Sequence, residues 1–264
     1  MAVRILYDPQ SDLSTTTISA ESKKSNSLVE TNVVDNRIGK PWRTNNTVTG
    51  VWIKFDQGAS GFGPNDAVGI FGHNLTSAAV VTVEANATDS WGSPTFTEVL
   101  GIQLDDDGLV FTRIVEFITA TTLRFWRITI EDGLNGDGYI QIGRIMLGQY
   151  YEIPRAANQG LRVETIDPSE GTNAPGEVPV LTQKALFRRL NIGFSFLTQA
   201  ITDKFETIFS FVGNSKPVLI GWDETAGRQT KDSMYAFMIT GLDWTNTLIT
   251  YADVASIVFE EKTR

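Results

Sequence analysis

Short apolar segments separated by turn-forming residues limit most strongly what this chain can fold into. The segments predicted as strands are Val51–Phe55, Ala67–Phe71, Ala79–Glu84, the weaker Leu109–Phe111, Leu123–Ile130 and Gly138–Leu147. In Leu123–Ile130 polar and apolar side chains alternate, so that Arg127 and Thr129 share the face opposite Trp126. Short strands with dense turns between them and no helical period predict a β-sandwich or jelly roll.

The pattern changes after residue 151. Residues 154–182 are rich in Pro, Gly, Asn and Glu, which predicts a linker or a long surface loop. Further on, five apolar residues recur at the spacing of one α-helical face: Ile201, Phe205, Ile208, Phe209 and Val212. Thr198 is a candidate N-cap of this helix and Gly213 a candidate stop. Apolar strand patterns flank the helix on both sides and predict an α+β unit.

The predicted fold is therefore mainly β, with four parts. Residues 1–32 are predicted to form a strand followed by an extended polar arm, and residues 33–153 an N-terminal β-sandwich. Residues 154–182 are the linker or long loop, and residues 183–264 form a smaller α+β domain with one main helix on antiparallel strands.

Composition excludes several classes of function. The chain has 264 residues, no cysteine and a formal net charge of −9, with a sequence pI of about 4.7. Thiol chemistry and disulfides are thus absent, and an acidic chain without a long basic run argues against nucleic-acid binding. The N-terminal apolar run ends at Asp8-Pro9, too early for a secretion signal, and no stretch is long enough to span a bilayer. We expect a soluble protein without membrane insertion.

The residues needed for common active sites are scarce. His73 is the one histidine, no Gly-x-Ser-x-Gly segment is present, and no glycine-rich phosphate loop ends in Gly-Lys-Ser/Thr. The sequence therefore predicts no enzyme and no catalytic, cofactor-binding or metal-binding residue. A carboxylate pair of the glycosidase type stays open, because its members need only be close in space.

Two acidic segments are candidates for calcium. Asp105–Asp107 is a run of carboxylates, and Asp132–Gly138 resembles the start of a calcium loop. In the second segment the first ligand position falls on Gly133 and the twelfth on Arg144, so a β-turn is the preferred interpretation. Calcium is left as a minor possibility.

Three tryptophans are candidates for a ligand or interface site. Trp42, Trp91 and Trp222 lie beside Pro, Gly or Asp in predicted turns, where an exposed ring could stack on a sugar or anchor a partner. The alternative is that they cover one end of the sandwich. Trp52 and Trp126 lie within strand patterns and are assigned to the core.

A family resemblance covers about two-fifths of the chain. It is carried by Pro41-Trp42-Arg43, by Gly72-His73-Asn74-Leu75, and by the strings Arg124-Phe125-Trp126-Arg127-Ile128 and Gly138-Tyr139-Ile140-Gln141-Ile142-Gly143-Arg144. This order resembles the discoidin, or galactose-binding-like, jelly rolls of minor structural proteins in tailed bacteriophages. The resemblance implies a β-sandwich used for binding or assembly and not for catalysis.

From these observations the leading prediction is a structural component of a tailed-phage virion, in the tail, neck or baseplate. It would be made in the bacterial cytoplasm and would assemble with other virion proteins as a symmetric homo-oligomeric ring. The alternative is a carbohydrate-binding module that attaches to host-surface glycans. A hydrolase of cell-wall glycans is the third hypothesis.

Overall fold

The computed structural model of the protein describes residues 2–59, 62–104, 111–157, 161–174, 178–223, 225, 227–248 and 251–262. The chain divides into two compact units. The first comprises residues 1–152, 219–234 and 264, and the second comprises residues 153–218 and 235–263. The first unit is therefore discontinuous in sequence. The four-part division made from the sequence stays a prediction.

Strands dominate both units. Within the described residues there are one α-helix, two 3-10 helices and twenty strands. The strands are β1 (Val3–Leu6), β2 (Thr17–Ala20), β3 (Trp42–Arg43), β4 (Val51–Asp56), β5 (Asn65–Phe71), β6 (Val80–Asn86), β7 (Phe96–Leu100), β8 (Arg113–Thr121), β9 (Phe125–Glu131), β10 (Gln141–Ile142), β11 (Arg144–Gly148), β12 (Tyr151–Ile153), β13 (Arg162–Ile166), β14 (Glu170–Ala174), β15 (Val178–Thr182), β16 (Phe187–Leu197), β17 (Val218–Gly221), β18 (Ser233–Met238), β19 (Trp244–Leu248) and β20 (Tyr251–Glu261). The helices are the 3-10 turns Gln10–Asp12 and Glu30–Val34 and the α-helix α1 (Gln199–Val212). The prediction of a mainly β chain with one main helix is confirmed.

The first unit is a β-sandwich. One antiparallel sheet has five strands in the order β2-β4-β9-β6-β7, and the other has three in the order β11-β5-β8. Side chains from both sheets meet in one apolar core, for example Ile53 and Ile128 from the first sheet and Ile70 from the second. Strands β4 and β9 alternate buried and part-exposed residues, which leaves the outer face of the five-stranded sheet open.

The segment predicted as an extended arm forms part of this sandwich. Strand β2 pairs with β4, and so forms one edge of the five-stranded sheet. The buried guanidinium of Arg144 contacts the Asp12 carboxylate and donates to the Val33 carbonyl at 3.1 Å. The Ser11 hydroxyl accepts a bond from the backbone N–H of Leu147 at 3.3 Å. The polar residues of this segment thus satisfy buried groups of the sandwich.

Residues 219–234 complete the first unit from far along the chain. Strand β17 pairs with β1 in register, with Ile220 opposite Ile5. Beside β8, the Thr230 hydroxyl accepts from the Val115 N–H at 2.9 Å, and the Gln229 side chain accepts from the Phe117 N–H at 2.7 Å. Two side chains therefore replace a neighbouring strand at that edge.

The second unit is an α+β structure. Strand β20 pairs with β16, β19 and the C-terminal part of β18, while β16 also pairs with β13, and β14 and β15 form a separate hairpin. Helix α1 begins directly after Thr198 and ends before Gly213, whose φ of 52° suits glycine. Its buried face carries Ile201, Phe205, Ile208 and Val212. Three strands, β13 to β15, lie within residues 154–182, the segment predicted as a linker or long loop.

The alternation of buried and exposed side chains along β16 is broken near its C-terminal end. The apolar face Leu190, Ile192, Phe194 continues in sequence to Phe196, but the register against β20 shifts beyond Phe194. Phe196 has a φ of 56° and is 56% exposed, and Leu197 is buried in its place. A bulge therefore breaks the period of two that the sequence pattern assumes.

Candidate functional site

The open face of the five-stranded sheet carries a row of charged side chains. Lys54 of β4 lies opposite Arg127 of β9, and Arg127 lies opposite Glu84 of β6. Because successive side chains of a strand point to opposite faces, the burial of Ile53 and Phe55 turns Lys54 outward. The same alternation places Trp52 on the outer face of the sheet.

A hollow of about 220 Å³ lies on this face of the sheet. Its walls are Trp52 and Lys54 from β4, Arg127 from β9, and Asp89 and Trp91 from the loop between β6 and β7. We call this feature the outer-sheet hollow. It combines two indole rings with one carboxylate and two cations.

Asp89 links the loop to the sheet. One carboxylate oxygen accepts a bond from the Lys54 ammonium at 2.5 Å, and the other accepts from the Trp91 indole N–H at 2.7 Å. The Lys54 hydrogen bond, followed by the Trp91 bond, lowers the pKa of Asp89 below its ordinary value. The carboxylate is therefore ionised at any pH near neutrality.

Arg127 fixes the second tryptophan. Its Nε donates to Glu84 at 2.7 Å, and its guanidinium lies 4.4 Å from the centre of the Trp91 ring. The Trp91 indole is thus held by a hydrogen bond at its edge and by a cation over its ring.

The loop that carries Trp91 is held by its own hydrogen bonds. The Asn86 side chain donates to the Ser90 carbonyl at 2.7 Å, and its oxygen accepts from the Ala87 N–H and the Thr95 hydroxyl, both at 2.9 Å. One amide therefore closes both ends of the loop. The wall that contains Trp91 is ordered before any ligand arrives.

The structure separates the three tryptophans singled out from the sequence. Trp91 lies at the outer-sheet hollow, but Trp42 is fully buried, and its indole donates to the Ser22 carbonyl at 2.9 Å. Trp222 is 4% exposed at the end of β17. Neither Trp42 nor Trp222 has a ring face open to a ligand, because core formation covers both.

Trp52 is the site residue that the sequence reasoning missed. Its assignment to the core is wrong, whereas that of Trp126, which is fully buried, is correct. The signal was present: Trp52 is out of phase with Val51, Ile53 and Phe55, and these three take the buried face.

Of the two calcium candidates, the structure describes the turn Asp132–Gly138. Asp105–Asp107 lies outside the described residues. The Asp132 carboxylate accepts from the Thr76 N–H at 2.9 Å, from the Thr76 hydroxyl at 2.5 Å and from the Asn135 side chain at 3.1 Å. These bonds fasten the turn Asp132–Gly138 to the neighbouring segment. Among the residues that the structure describes, no three His, Asp or Glu side chains are grouped as a metal site.

Comparisons with known proteins give partial similarities. No protein family and no curated protein matches the sequence. Among solved structures, a Ruminococcus gnavus GH29 fucosidase in complex with fucose matches with a TM-score of 0.44 and 15% identity, over 56% of this chain and 28% of the fucosidase chain. A CBM32 module produced by Clostridium perfringens matches with a TM-score of 0.39 and 16% identity, over 54% of this chain and 99% of the module.

A third match is the CBM32 module of AlyQ in complex with 4,5-unsaturated mannuronic acid. It has a TM-score of 0.37 and 17% identity, over 50% of this chain and 92% of the module. This chain spans little more than a quarter of the fucosidase, so most of that enzyme has no counterpart in the match. No helix in the described part of the chain is long and apolar enough to cross a membrane. Because these three TM-scores are below 0.5, a function for this chain has to be argued from the geometry of the outer-sheet hollow.

Proposed function

We propose that this chain is a carbohydrate-binding protein and that the outer-sheet hollow holds the sugar. The observation that carries the proposal is the pair of tryptophans, Trp52 and Trp91, which line the hollow together with the Lys54–Asp89 ion pair. A sugar ring has an apolar C–H face and a rim of hydroxyls. The indoles can pack against the face, and the charged groups can bond to the rim.

The rigid surroundings of Trp91 favour binding. Asn86 closes the loop and Asp89 and Arg127 hold the indole, so little conformational entropy is lost when a ligand packs on it. The hollow lies open on the surface of a sheet, which suits a segment of an oligosaccharide.

We propose binding without catalysis at this position. Asp89 is the carboxylate that lines the hollow, and it is paired with Lys54. Two further carboxylates of the outer face, Glu84 and Asp56, are bonded to Arg127 and to Arg124. Glycoside hydrolysis ordinarily needs one carboxylic acid that keeps its proton and a second, ionised carboxylate. Three carboxylates that each bond to a cation do not provide that asymmetry.

Removal of the Trp91 ring tests the proposal. We expect Trp91→Ala to weaken the binding of an oligosaccharide at least about 30-fold, because a central aromatic contact is worth about 2 kcal/mol or more. Isothermal titration calorimetry measures the affinity, with the ligand chosen from a glycan array. Phe211→Ala, which removes a part-exposed ring from helix α1 in the second unit, is the control and should bind as the unaltered protein does. Sugar binding that survives Trp91→Ala in a folded protein would contradict this location.

The role of a tailed-phage structural component stays a prediction, based on the resemblance of the Gly72–Leu75 and Arg124–Ile128 strings. It is compatible with sugar binding, since a particle protein can carry a glycan site. Mass spectrometry of purified particles tests it, and a chain that is expressed but missing from the particles would remove it.

A further inference from the structure

We infer that the outer-sheet hollow selects uncharged sugars and discriminates against uronates and amino sugars. The inference rests on the proposed function and names the ligand class. Its basis is that each charged group in the hollow is already matched by an opposite charge of the protein.

The charges cancel pair by pair. The Lys54 ammonium lies 2.5 Å from the Asp89 carboxylate, and the Arg127 guanidinium lies 2.7 Å from the Glu84 carboxylate. The two cations and the two anions leave no net charge at the site. The Arg127–Glu84 pair is well shielded from solvent, with the Glu84 side chain 14% exposed.

An anionic sugar would have to break one of these pairs or bring its carboxylate beside a carboxylate of the protein. Lys54 or Arg127 could donate to a uronate either after Asp89 or Glu84 is displaced, or while that carboxylate stays in place and repels the incoming one. Displacement is costly at the shielded Arg127–Glu84 pair, because the carboxylate left behind stays desolvated and unpaired. The Asp89 side chain is 45% exposed, so at that pair the repulsion between the two carboxylates is the main cost. The net charge of −9 on the chain adds a general repulsion.

An amino sugar meets the same difficulty with the signs of the charges reversed. Its ammonium would compete with Lys54 for Asp89 or with Arg127 for Glu84, and would bring two cations close together. Neither charged class therefore gains a free partner in the hollow.

A neutral sugar can bond to an ion pair without separating it. A hydroxyl donates one hydrogen bond and accepts others, so it can donate to Asp89 while it accepts from Lys54. Adjacent hydroxyls of one ring can bond to both groups, and hydrogen bonds to ionised groups are stronger than those between neutral groups.

An array of neutral, uronate and amino-sugar oligosaccharides tests the inference on the full chain. We expect signals in the neutral class that disappear with Trp91→Ala. Signals confined to uronates or amino sugars would overturn the inference and leave the proposed function standing. An array without any signal would overturn both.

A matched set of ligands then isolates charge. The neutral oligosaccharide that binds on the array is compared with two forms of the same glycan backbone, one carrying a 6-carboxyl group and one carrying a 2-amino group. If that glycan is a β-1,4-glucan, the three ligands are cellohexaose, its C6-oxidised form and the glucosamine hexamer. We expect calorimetry to show at least tenfold weaker binding of both charged forms. We also expect the affinity for the neutral form to change little between 50 and 500 mM NaCl, since no net charge is neutralised on binding. Equal affinities across the set would overturn the inference.

Removing the anionic partner of one of the two cations should change the selectivity of the hollow. In Glu84→Gln, Arg127 loses its anionic partner, and we expect the uronate form to bind at least fivefold more tightly than it does to the unaltered chain. The control is Glu260→Gln, which neutralises a similar cross-strand pair, Arg189–Glu260, in the second unit and should leave both affinities unchanged.

A second variant covers the case in which Glu84→Gln does not fold. Asp89→Asn frees Lys54 and keeps an acceptor for the Trp91 N–H, and the same gain for the uronate is expected. No gain in a folded variant would mean that the ion pairs do not set the selectivity, and would overturn the inference.

Discussion

At the scale of single residues, His73 is the group whose burial has the clearest cost. It is 7% exposed, its Nδ1 accepts from the Leu75 N–H at 3.2 Å, and its Nε2 has no hydrogen-bond partner among the described residues. Burial lowers the pKa of His73 from 6.5 to about 4, against the opposing effects of the Arg113 backbone and the Asp132 charge. The ring is therefore neutral in the folded protein and protonates readily only when the chain unfolds.

This makes stability depend on pH in the mildly acidic range. Below pH 6.5 the unfolded chain binds a proton at His73 that the folded chain refuses until about pH 4, so stability falls as the pH is lowered through this window. From the two pKa values we expect His73 to account for a loss of about 2 kcal/mol in the free energy of unfolding between pH 7.5 and pH 5. Urea denaturation at the two pH values measures it.

The matched variant is His73→Asn, which keeps an acceptor for the Leu75 N–H but cannot titrate. Burial raises the pKa values of Asp66 and Glu116, so these two groups act in the opposite sense, and only the difference between the two proteins reports on His73. Identical pH profiles for both proteins would contradict the assignment.

Part of the candidate site, Arg127 and Trp91, could be predicted from the sequence pattern. Alternation in the β9 segment placed Arg127 on the polar face, and a turn-rich setting pointed to Trp91. The same turn argument fails for Trp42, because β3 pairs with β10 and draws the ring into the core. The meeting of Trp91 with Trp52 depends on how the loop from β6 folds over β4, which neither local pattern contains.

At the scale of elements, Gly143 sets the approach between β10, β11 and a preceding loop. A Cβ at this position would lie 2.5 Å from the Ile38 carbonyl oxygen, which is closer than any normal contact. The Gly143 N–H also donates to the Phe71 carbonyl at 3.0 Å, so the backbone cannot easily move away.

We therefore expect Gly143→Ala to destabilise the protein by about 1–3 kcal/mol, the usual range for overpacking a tight contact. Gly136→Ala is the control: a Cβ there would meet nothing within 4 Å, and we expect a change within about 0.5 kcal/mol. Thermal and urea unfolding of the two variants measure these changes in stability. A Gly143→Ala protein as stable as the control would show that the loop at Ile38 yields.

The elements whose apolar side chains recur with a clear period could be predicted from the sequence. Helix α1 follows its apolar face, and β4 and β9 lie where their alternation places them. Strand β2 was not foreseen, because the sequence Thr17–Ala20 has one large apolar residue and becomes a strand only by pairing with β4. The bulge near Phe196 was also invisible, since alternation carries no information about register shifts.

At the scale of the whole molecule, the discontinuity of the first unit is the main departure from the order of the sequence. Residues 219–234 supply the partner of β1 and the acceptors for the backbone N–H groups of Val115 and Phe117. A long-range arrangement of this kind leaves no local signal. Sequence patterns therefore suggested a sandwich that ends near residue 153.

We expect a fragment of residues 1–153 to fold poorly. Each buried N–H that loses its acceptor costs about 1–3 kcal/mol, and β1 loses its pairing with β17 as well. The comparison is the same fragment joined by a flexible linker to residues 219–234, which should regain cooperative urea unfolding and dispersed amide resonances. A fragment 1–153 that unfolds as cooperatively as the joined one would show that residues 219–234 are dispensable.

The same discontinuity has a consequence for synthesis. A ribosome releases the chain from its N-terminus, so β1 and β8 emerge long before the residues that satisfy them. The sixty-six residues 153–218 must be translated in between, during several seconds at ordinary rates. Throughout that interval strand β1 has the edge that β17 later covers unpaired, and two amides of β8 are unsatisfied. Chaperones cover surfaces of this kind, and other nascent chains can join them.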